Sequence, residues 1–209
     1  RFEKNFKFNI DERTEDLLIS ALPLLQKISG DRIRRELISI FKSHNLKASL
    51  ERLRELNVLK SIHKNFPSND EVFNRIDWAT NIEFPMIWEN EEIINGFSDA
   101  IKLVFHVIML DMKREEINSL STRLKLSTKL NSSIVDGTKL YQAQLEIIEL
   151  RNSQVFNIFE NCSSMVLYVN YQLSDNVKFR DKIIQYLHDW RFVKPFTSGQ
   201  KLRNLKIDS

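Results

Sequence analysis

Glycine and proline are scarce in this chain, with four of each among 209 residues. An all-β sandwich needs many tight turns, and turns depend heavily on these two residues, so their scarcity argues against that fold. Apolar side chains recur mostly at a spacing of about 3.6 residues, which is the period of an α-helix. The sequence therefore predicts an all-α protein, long enough for one elongated helical assembly or two small domains.

Cysteine is nearly absent as well, since Cys162 is the only one. No disulfide can form within the chain, and this fits a reducing cytoplasm. The longest apolar run, residues 101–110, contains Lys102 and His106 and is shorter than the ~20 residues that a membrane-spanning helix needs. We therefore expect a cytoplasmic protein with no membrane partner.

Patterns that hold metals or phosphates are also missing. The four histidines are far apart in sequence, and a single cysteine cannot complete a metal site with them. The chain has no Asp-x-Asp, no Gly-Gly pair and no glycine-rich loop. We therefore assign no catalytic residue and no metal ligand to this chain, and we expect His106 to be a hydrogen-bonded core residue.

The net charge of +3 conceals an uneven distribution. Residues 1–65 carry 14 Lys/Arg and 9 Asp/Glu, residues 66–112 carry 2 and 9, and residues 113–209 carry 15 and 10. Two basic regions therefore flank an acidic one. A polyanion such as RNA would be attracted to the flanks and repelled from the centre.

Residues 28–43 predict a short helix with two different faces. Ser29 is the expected N-cap, and Asp31 places a negative charge in the first turn, where the helix dipole favours it. The predicted buried face consists of Ile33, Leu37, Ile40 and Phe41. The opposite face suits a polyanion and carries Arg32, Arg35, Ser39 and Lys42. The alternative is an ordinary solvated face on which Arg32 pairs with Glu36.

This stretch resembles a known protein family. Residues 28–37, Ile-Ser-Gly-Asp-Arg-Ile-Arg-Arg-Glu-Leu, are similar to the Ser-Gly-Glu-Arg-Ile-x-x-Glu-Leu neck motif of the bacterial-type (class II) tRNA nucleotidyltransferases. These are the CCA-adding enzymes and their poly(A) polymerase relatives. Other segments resemble family signatures in the same order: residues 1–11, residues 50–63 with Asn57 in place of a glycine, Arg-Leu-Lys-Leu-Ser at 123–127, and residues 195–205 with Lys201 in place of an aspartate.

The resemblance implies an elongated multi-helix assembly, with a neck-like domain at residues 1–65 and a body with the start of a tail at residues 66–209. In the family these regions orient tRNA or other structured RNA while an N-terminal catalytic head adds nucleotides to its 3' end. The head holds Mg²⁺ with an Asp-x-Asp and selects CTP or ATP with a Glu-Asp-x-x-Arg. Since neither motif is present here, we expect a piece of a longer enzyme that lacks its head and is inactive alone.

RNA contacts of such a region are expected mainly with phosphate and sugar. The candidate contact residues are Arg32, Arg35, Lys42, Arg180, Arg191, Lys194, Lys201 and Arg203. Three further residues are expected to be structural. Ser29 would cap the motif helix, Gly30 would end the preceding helix, and Glu36 would pair with the neighbouring arginines.

Several helix boundaries can also be predicted. The pattern favours one helix over residues 11–28, kinked at Pro23, with an apolar face that includes Leu17 and Leu24. Asp136-Gly137 is typical of a turn. A long amphipathic helix is then expected from about residue 138 to residue 159.

Two alternatives remain open at this level. A non-enzymatic helical scaffold for protein interaction would use the same amphipathic faces and would expose a contiguous apolar patch. Within the family, CCA-, CC- and A-addition and poly(A) synthesis differ in the head and neck, so the chain does not separate them.

Overall fold

The fold is described by a computed structural model over Glu3, residues 8–81 and residues 98–193. Within these residues the chain forms α-helices and two short 3₁₀ helices, and no strand, so the all-α prediction is confirmed. The helices are α1 Glu12–Ala21, α2 Gly30–Phe41, α3 Leu46–Glu55, α4 Val58–Ile62, α5 Asp70–Thr80, α6 Asp99–Met109, α7 Arg114–Arg123, α8 Thr128–Gln142, α9 Gln144–Glu149, α10 Asn152–Glu160, α11 Ser164–Leu173 and α12 Val177–His188. The 3₁₀ helices are Leu22–Lys27 and Trp190–Phe192.

Five of these helices begin where a short polar side chain satisfies a free backbone N–H of the first turn. In α5, for example, Asn69 accepts a hydrogen bond of 2.9 Å from the Val72 N–H. The same arrangement occurs at Asp11, Ser127, Ser163 and Asn176. Local sequence therefore fixes the starts of five helices.

The first helical segment differs from its prediction. α1 ends at Ala21, and the chain continues through Pro23 as a 3₁₀ helix instead of a kinked α-helix. None of the residues of α1 is buried. Leu17 is 62% exposed and Leu24 is 53% exposed, so the expectation of a buried apolar face is wrong for the described residues.

The motif helix α2 buries the predicted face, which is Ile33, Leu37, Ile40 and Phe41. Ser29 is the N-cap residue, but its hydroxyl makes no capping hydrogen bond. Gly30 does not end the preceding helix, because the 3₁₀ helix already stops at Lys27 and Gly30 is the first residue of α2. Phe41 contacts Phe105 edge to face, with ring centroids 6.2 Å apart, and so joins α2 to α6.

The centre of the fold is α6, which packs against α5, α8 and α11. Residues 101–110 are all buried. His106 lies among them, with Nδ1 2.9 Å from the Lys102 carbonyl oxygen and Nε2 3.0 Å from Ser133 Oγ. The prediction of a hydrogen-bonded core histidine is confirmed.

α8 corrects the predicted turn at residues 136–137. Both residues lie inside the helix, and Gly137 is buried where α8 meets α6 and α11. A glycine in a helix commonly indicates a turn, but here its missing side chain leaves room for a crossing helix. The predicted long helix over residues 138–159 is also interrupted, at Ala143 and again at Leu150 and Arg151.

Two further predictions concern membrane spanning and domain division. Among the described residues, no helix combines the length and apolarity needed to cross a membrane. The division of the chain at residue 65 stays a prediction, and α5 contacts both α3 before it and α6 after it.

Candidate nucleic-acid interface

The cationic face of α2 is open to solvent. Arg32, Arg35 and Lys42 are all exposed, and Ser39 lies half-buried between them. Among the described residues, none of these three cations forms an ion pair. We call Arg32, Arg35 and Lys42 the cationic ridge; its charges are available to a ligand, although RNA contact by each residue stays a prediction.

The expected role of Glu36 is wrong in the described part of the chain. Glu36 is exposed and forms no ion pair there with Arg32 or Arg35. Both Arg32 and Glu36 instead edge an apolar cavity of about 150 Å³ between α2 and its neighbours. An exposed pair of this kind is worth only about 0.3–0.5 kcal/mol, so hydration of the separate side chains competes well with it.

Asp31 is the acid that pairs with an arginine. Its Oδ1 lies 2.7 Å from Arg34 Nη2, and its Oδ2 lies 3.7 Å from Lys125 Nζ. Arg34 also donates to the Leu124 carbonyl oxygen at 2.9 Å and to the Lys125 carbonyl oxygen. Leu124 is the C-cap of α7, so Arg34 donates hydrogen bonds to carbonyl groups that the end of α7 leaves unpaired.

Arg123, the last residue of α7, makes the reverse contact. It donates to the carbonyl oxygens of Leu25 at 2.7 Å, Ile28 at 3.0 Å and Ile62 at 3.3 Å. These carbonyls belong to the ends of the 3₁₀ helix and of α4. We call Arg34 and Arg123 the arginine clamp, because each binds helix ends in the other part of the chain.

Gly30 lies at the contact point of the clamp. A Cβ atom built on Gly30 would be 2.1 Å from the Arg123 carbonyl oxygen and 3.1 Å from its carbonyl carbon. Real Cβ atoms do not approach backbone this closely, so any larger residue would push α2 away from α7. The structural role of Gly30 is therefore a close approach of two helices.

Further polar contacts surround the clamp. His63 Nε2 lies 2.9 Å from Ser119 Oγ, and Asn65 Nδ2 donates to Glu116 Oε1 at 2.6 Å. Partial burial, helped by the charge of Lys64, lowers the pKa of His63, which favours the neutral imidazole at this contact.

Sequence reasoning missed the clamp. Arg34 falls at a variable position of the neck motif, and its partners are 90 residues away. Arg123 begins the Arg-Leu-Lys-Leu-Ser segment, so the resemblance singled out the residue but gave it no role. Lys125, in the same segment, has a φ of 50°. This left-handed conformation is uncommon for a residue with a side chain, and the sequence does not predict it.

Of the predicted C-terminal contact residues, Arg180 and Arg191 lie within the described part of the chain, on elements other than α2. Arg180 is half-buried on α12, and Arg191 is exposed, with its guanidinium 4.7 Å from the Phe192 ring centroid. α12 packs mainly against α9, α10 and α11, whereas α2 packs against α3 and α5. Lys194, Lys201 and Arg203 lie outside the described residues.

The described residues include no candidate metal site. Within residues 8–81 and 98–193, no group of three or more His, Cys, Asp and Glu side chains is arranged to hold one. The solvent-exposed cations of α2 suit an anionic ligand such as a phosphate backbone.

Comparisons with known proteins agree with this geometry. Residues 7–68 match the family described as the probable RNA and SrmB-binding site of polymerase A. A curated relative, an A-adding tRNA nucleotidyltransferase from Geobacter sulfurreducens, is 23% identical over all of this chain, which covers 24% of that protein. The chain thus spans about a quarter of the curated relative that it matches.

Two solved structures have a similar fold. A CCA-adding enzyme in complex with ATP has a TM-score of 0.65 and 23% identity, over all of this chain and 49% of that one. The Thermotoga maritima CCA-adding enzyme complexed with tRNA has a TM-score of 0.63 and 22% identity, over all of this chain and 50% of that one. The chain therefore shares the fold of helical regions of CCA-adding enzymes over its whole length, and residues 7–68 match the polymerase A RNA-binding family.

Proposed function

We propose that this chain is the tRNA-binding part of a nucleotidyltransferase and orients the tRNA for 3'-end addition by a catalytic domain outside residues 1–209. The observation that carries this proposal is the cationic ridge on α2. Its three cations are exposed and lie within the segment that matches an RNA-binding family.

The chemistry of the ridge suits a phosphate backbone. Side chains cannot enter the narrow major groove of an A-form stem, so such stems are bound through phosphates, 2'-hydroxyls and shape. Arginine supplies paired N–H donors for phosphate oxygens, and lysine supplies a mobile point charge. One helix face carrying both types can follow a stem without reading its sequence.

The catalytic requirements point to another part of the protein. Nucleotidyl transfer through two metal ions needs closely spaced carboxylates, and the chain has no Asp-x-Asp. Mg²⁺ and CTP or ATP would accordingly act on a head domain, and no step of that chemistry is assigned to these residues. The names of the relatives, an A-adding tRNA nucleotidyltransferase and CCA-adding enzymes, support tRNA as the partner. A cytoplasmic location fits such a partner and a chain with one unpaired cysteine.

Fluorescence anisotropy with labelled tRNA tests the proposal. We expect affinity for tRNA that falls steeply as salt rises, because each phosphate contact releases counterions. Replacing Arg32, Arg35 and Lys42 by Gln should lower the slope of log Kd against log salt by about 2 to 3, at roughly 0.7–0.9 for each lost contact. The control is Lys139→Gln, an exposed lysine that lines a cleft with Asp136 and Glu146.

A protein-interaction scaffold is the second candidate, and the exposed Leu17 and Leu24 favour it. The two candidates differ in the wild-type titration. Absence of tRNA affinity at low salt, or affinity that does not respond to salt, would reject the RNA-binding function and leave the scaffold.

A further inference from the structure

The arginine clamp joins two parts of the chain through helix ends. Arg34, on α2, binds carbonyl oxygens at the end of α7, and Arg123, on α7, binds carbonyl oxygens at the ends of the 3₁₀ helix and α4. Charge-assisted hydrogen bonds of this kind are about twice as strong as neutral ones. The contacts are also reciprocal, so a rotation of either part would break bonds of both arginines.

These two arginines are poorly placed to bind RNA themselves. The Arg34 side chain is only 18% exposed, and Arg123 directs all three of its nitrogen groups at protein carbonyls. A phosphate would have to displace several internal hydrogen bonds to reach either guanidinium. The ridge residues Arg32 and Arg35, by contrast, point into solvent from the same helix as Arg34.

We propose that Arg34, Arg123 and Gly30 are positioning residues for RNA binding. They fix the cationic ridge relative to the helices that follow α7, which carry Arg180 and Arg191, so that one folded RNA contacts both surfaces together. Two sites held in a fixed, compatible geometry gain affinity from the high effective concentration of the second contact, and they lose that gain when the geometry is relaxed. This role rests on the RNA binding proposed above.

Gly30→Ala tests the clamp without changing any charge. The new Cβ would lie 2.1 Å from the Arg123 carbonyl oxygen, so α2 and α7 must move apart. Arg123→Gln removes the carbonyl contacts directly. Its matched control is Arg114→Gln, which removes an equal charge from an exposed residue at the other end of α7.

Each variant should be titrated with full-length tRNA and with a short RNA duplex that is too small to reach both surfaces. We expect Gly30→Ala and Arg123→Gln to bind tRNA about tenfold or more weakly, with unchanged affinity for the duplex and an unchanged salt slope on the duplex. Arg114→Gln should leave the ratio of tRNA affinity to duplex affinity at the wild-type value.

Arg123→Lys serves as the milder variant, because it keeps the charge and can still donate to a carbonyl. We expect its loss of tRNA affinity to be intermediate, with a circular dichroism spectrum like that of the wild type. Equal losses for tRNA and duplex in this folded variant, or no loss for tRNA, would overturn the positioning role. Failure of the wild type to bind tRNA at all would instead reject the proposed function.

Discussion

Gly137 lies directly against His106 where α8 crosses α6, and a Cβ built on Gly137 would be 3.4 Å from His106 Cδ2. This distance is an ordinary van der Waals contact. The next neighbour, Val166 Cγ2, would be 3.7 Å away. The site therefore has room for one methyl group and no more, unlike Gly30, where the nearest atom is backbone at 2.1 Å.

We therefore expect Gly137→Ala to stabilise the protein by about 0.5–1 kcal/mol, because alanine loses less conformational entropy than glycine in a helix interior. Gly137→Leu should destabilise it by about 1–3 kcal/mol through overpacking. Urea unfolding followed by circular dichroism measures both. A Gly137→Ala variant less stable than the wild type would show that the crossing is tighter than described.

Stability should fall as the pH drops below about 6.5, and His106 should cause much of the fall. Burial lowers the pKa of His106 from its usual 6.5 to about 4. Between these two pKa values the unfolded chain binds a proton that the folded chain does not bind. The free energy of unfolding therefore decreases as the pH falls from 6.5 to 4. At about 1.4 kcal/mol per pH unit, the loss approaches ~3 kcal/mol at pH 4.

Urea unfolding of the wild type and of His106→Gln, measured from pH 7.5 down to pH 4.5, isolates this effect. Glutamine keeps a polar side chain in the core but cannot titrate. The difference in stability between the two proteins should therefore shrink as the pH falls. A difference that stays constant over this range would contradict the assignment.

Glu36 and Asp31 should respond in opposite directions to loss of charge, although both lie on α2. Glu36 is exposed beside the ridge, and it repels phosphate, so Glu36→Gln should bind tRNA about two- to threefold more tightly, as expected for one screened surface charge. Asp31 lies 2.7 Å from Arg34, so Asp31→Asn should weaken tRNA binding by loosening the clamp.

The two variants are matched, since each removes one negative charge from the same helix. Anisotropy titrations at equal salt compare them directly. An equal gain in affinity for both would indicate that charge alone matters and that Asp31 does not support the clamp.

Asn57 occupies the position at which the family segment has a glycine, and its φ is 56°. Asparagine tolerates this left-handed conformation better than other residues with a side chain. Alanine in this conformation destabilises the folded state by about 1 kcal/mol. We expect Asn57→Ala to lower the free energy of unfolding by roughly that amount and Asn57→Gly to leave it nearly unchanged. Thermal unfolding of the pair checks this, and equal melting temperatures for both would contradict it.

Features that depend on neighbouring residues were predicted from the sequence, and features that depend on distant residues were not. The N-cap position of Ser29 and the buried stripe of α2 were predictable because each depends on residues within four positions of one another along the chain. The expected pairing of Glu36 was wrong because an exposed pair competes poorly with hydration, and the role of Arg34 was missed because its carbonyl partners lie 90 residues away. The predicted turn at Asp136-Gly137 was wrong because a glycine required by a crossing helix has the same local pattern as a glycine in a turn.

The sequence by itself determined that the protein is helical, that α2 has one apolar and one cationic face, and that it resembles an RNA-handling family. The tertiary structure alone decided which arginines remain open to solvent and which bind other helices. The physical reason is distance along the chain. Arg123 binds carbonyl groups 61 to 98 residues away, and every residue offers the same carbonyl, so no pattern of side chains marks the partner before the chain is folded.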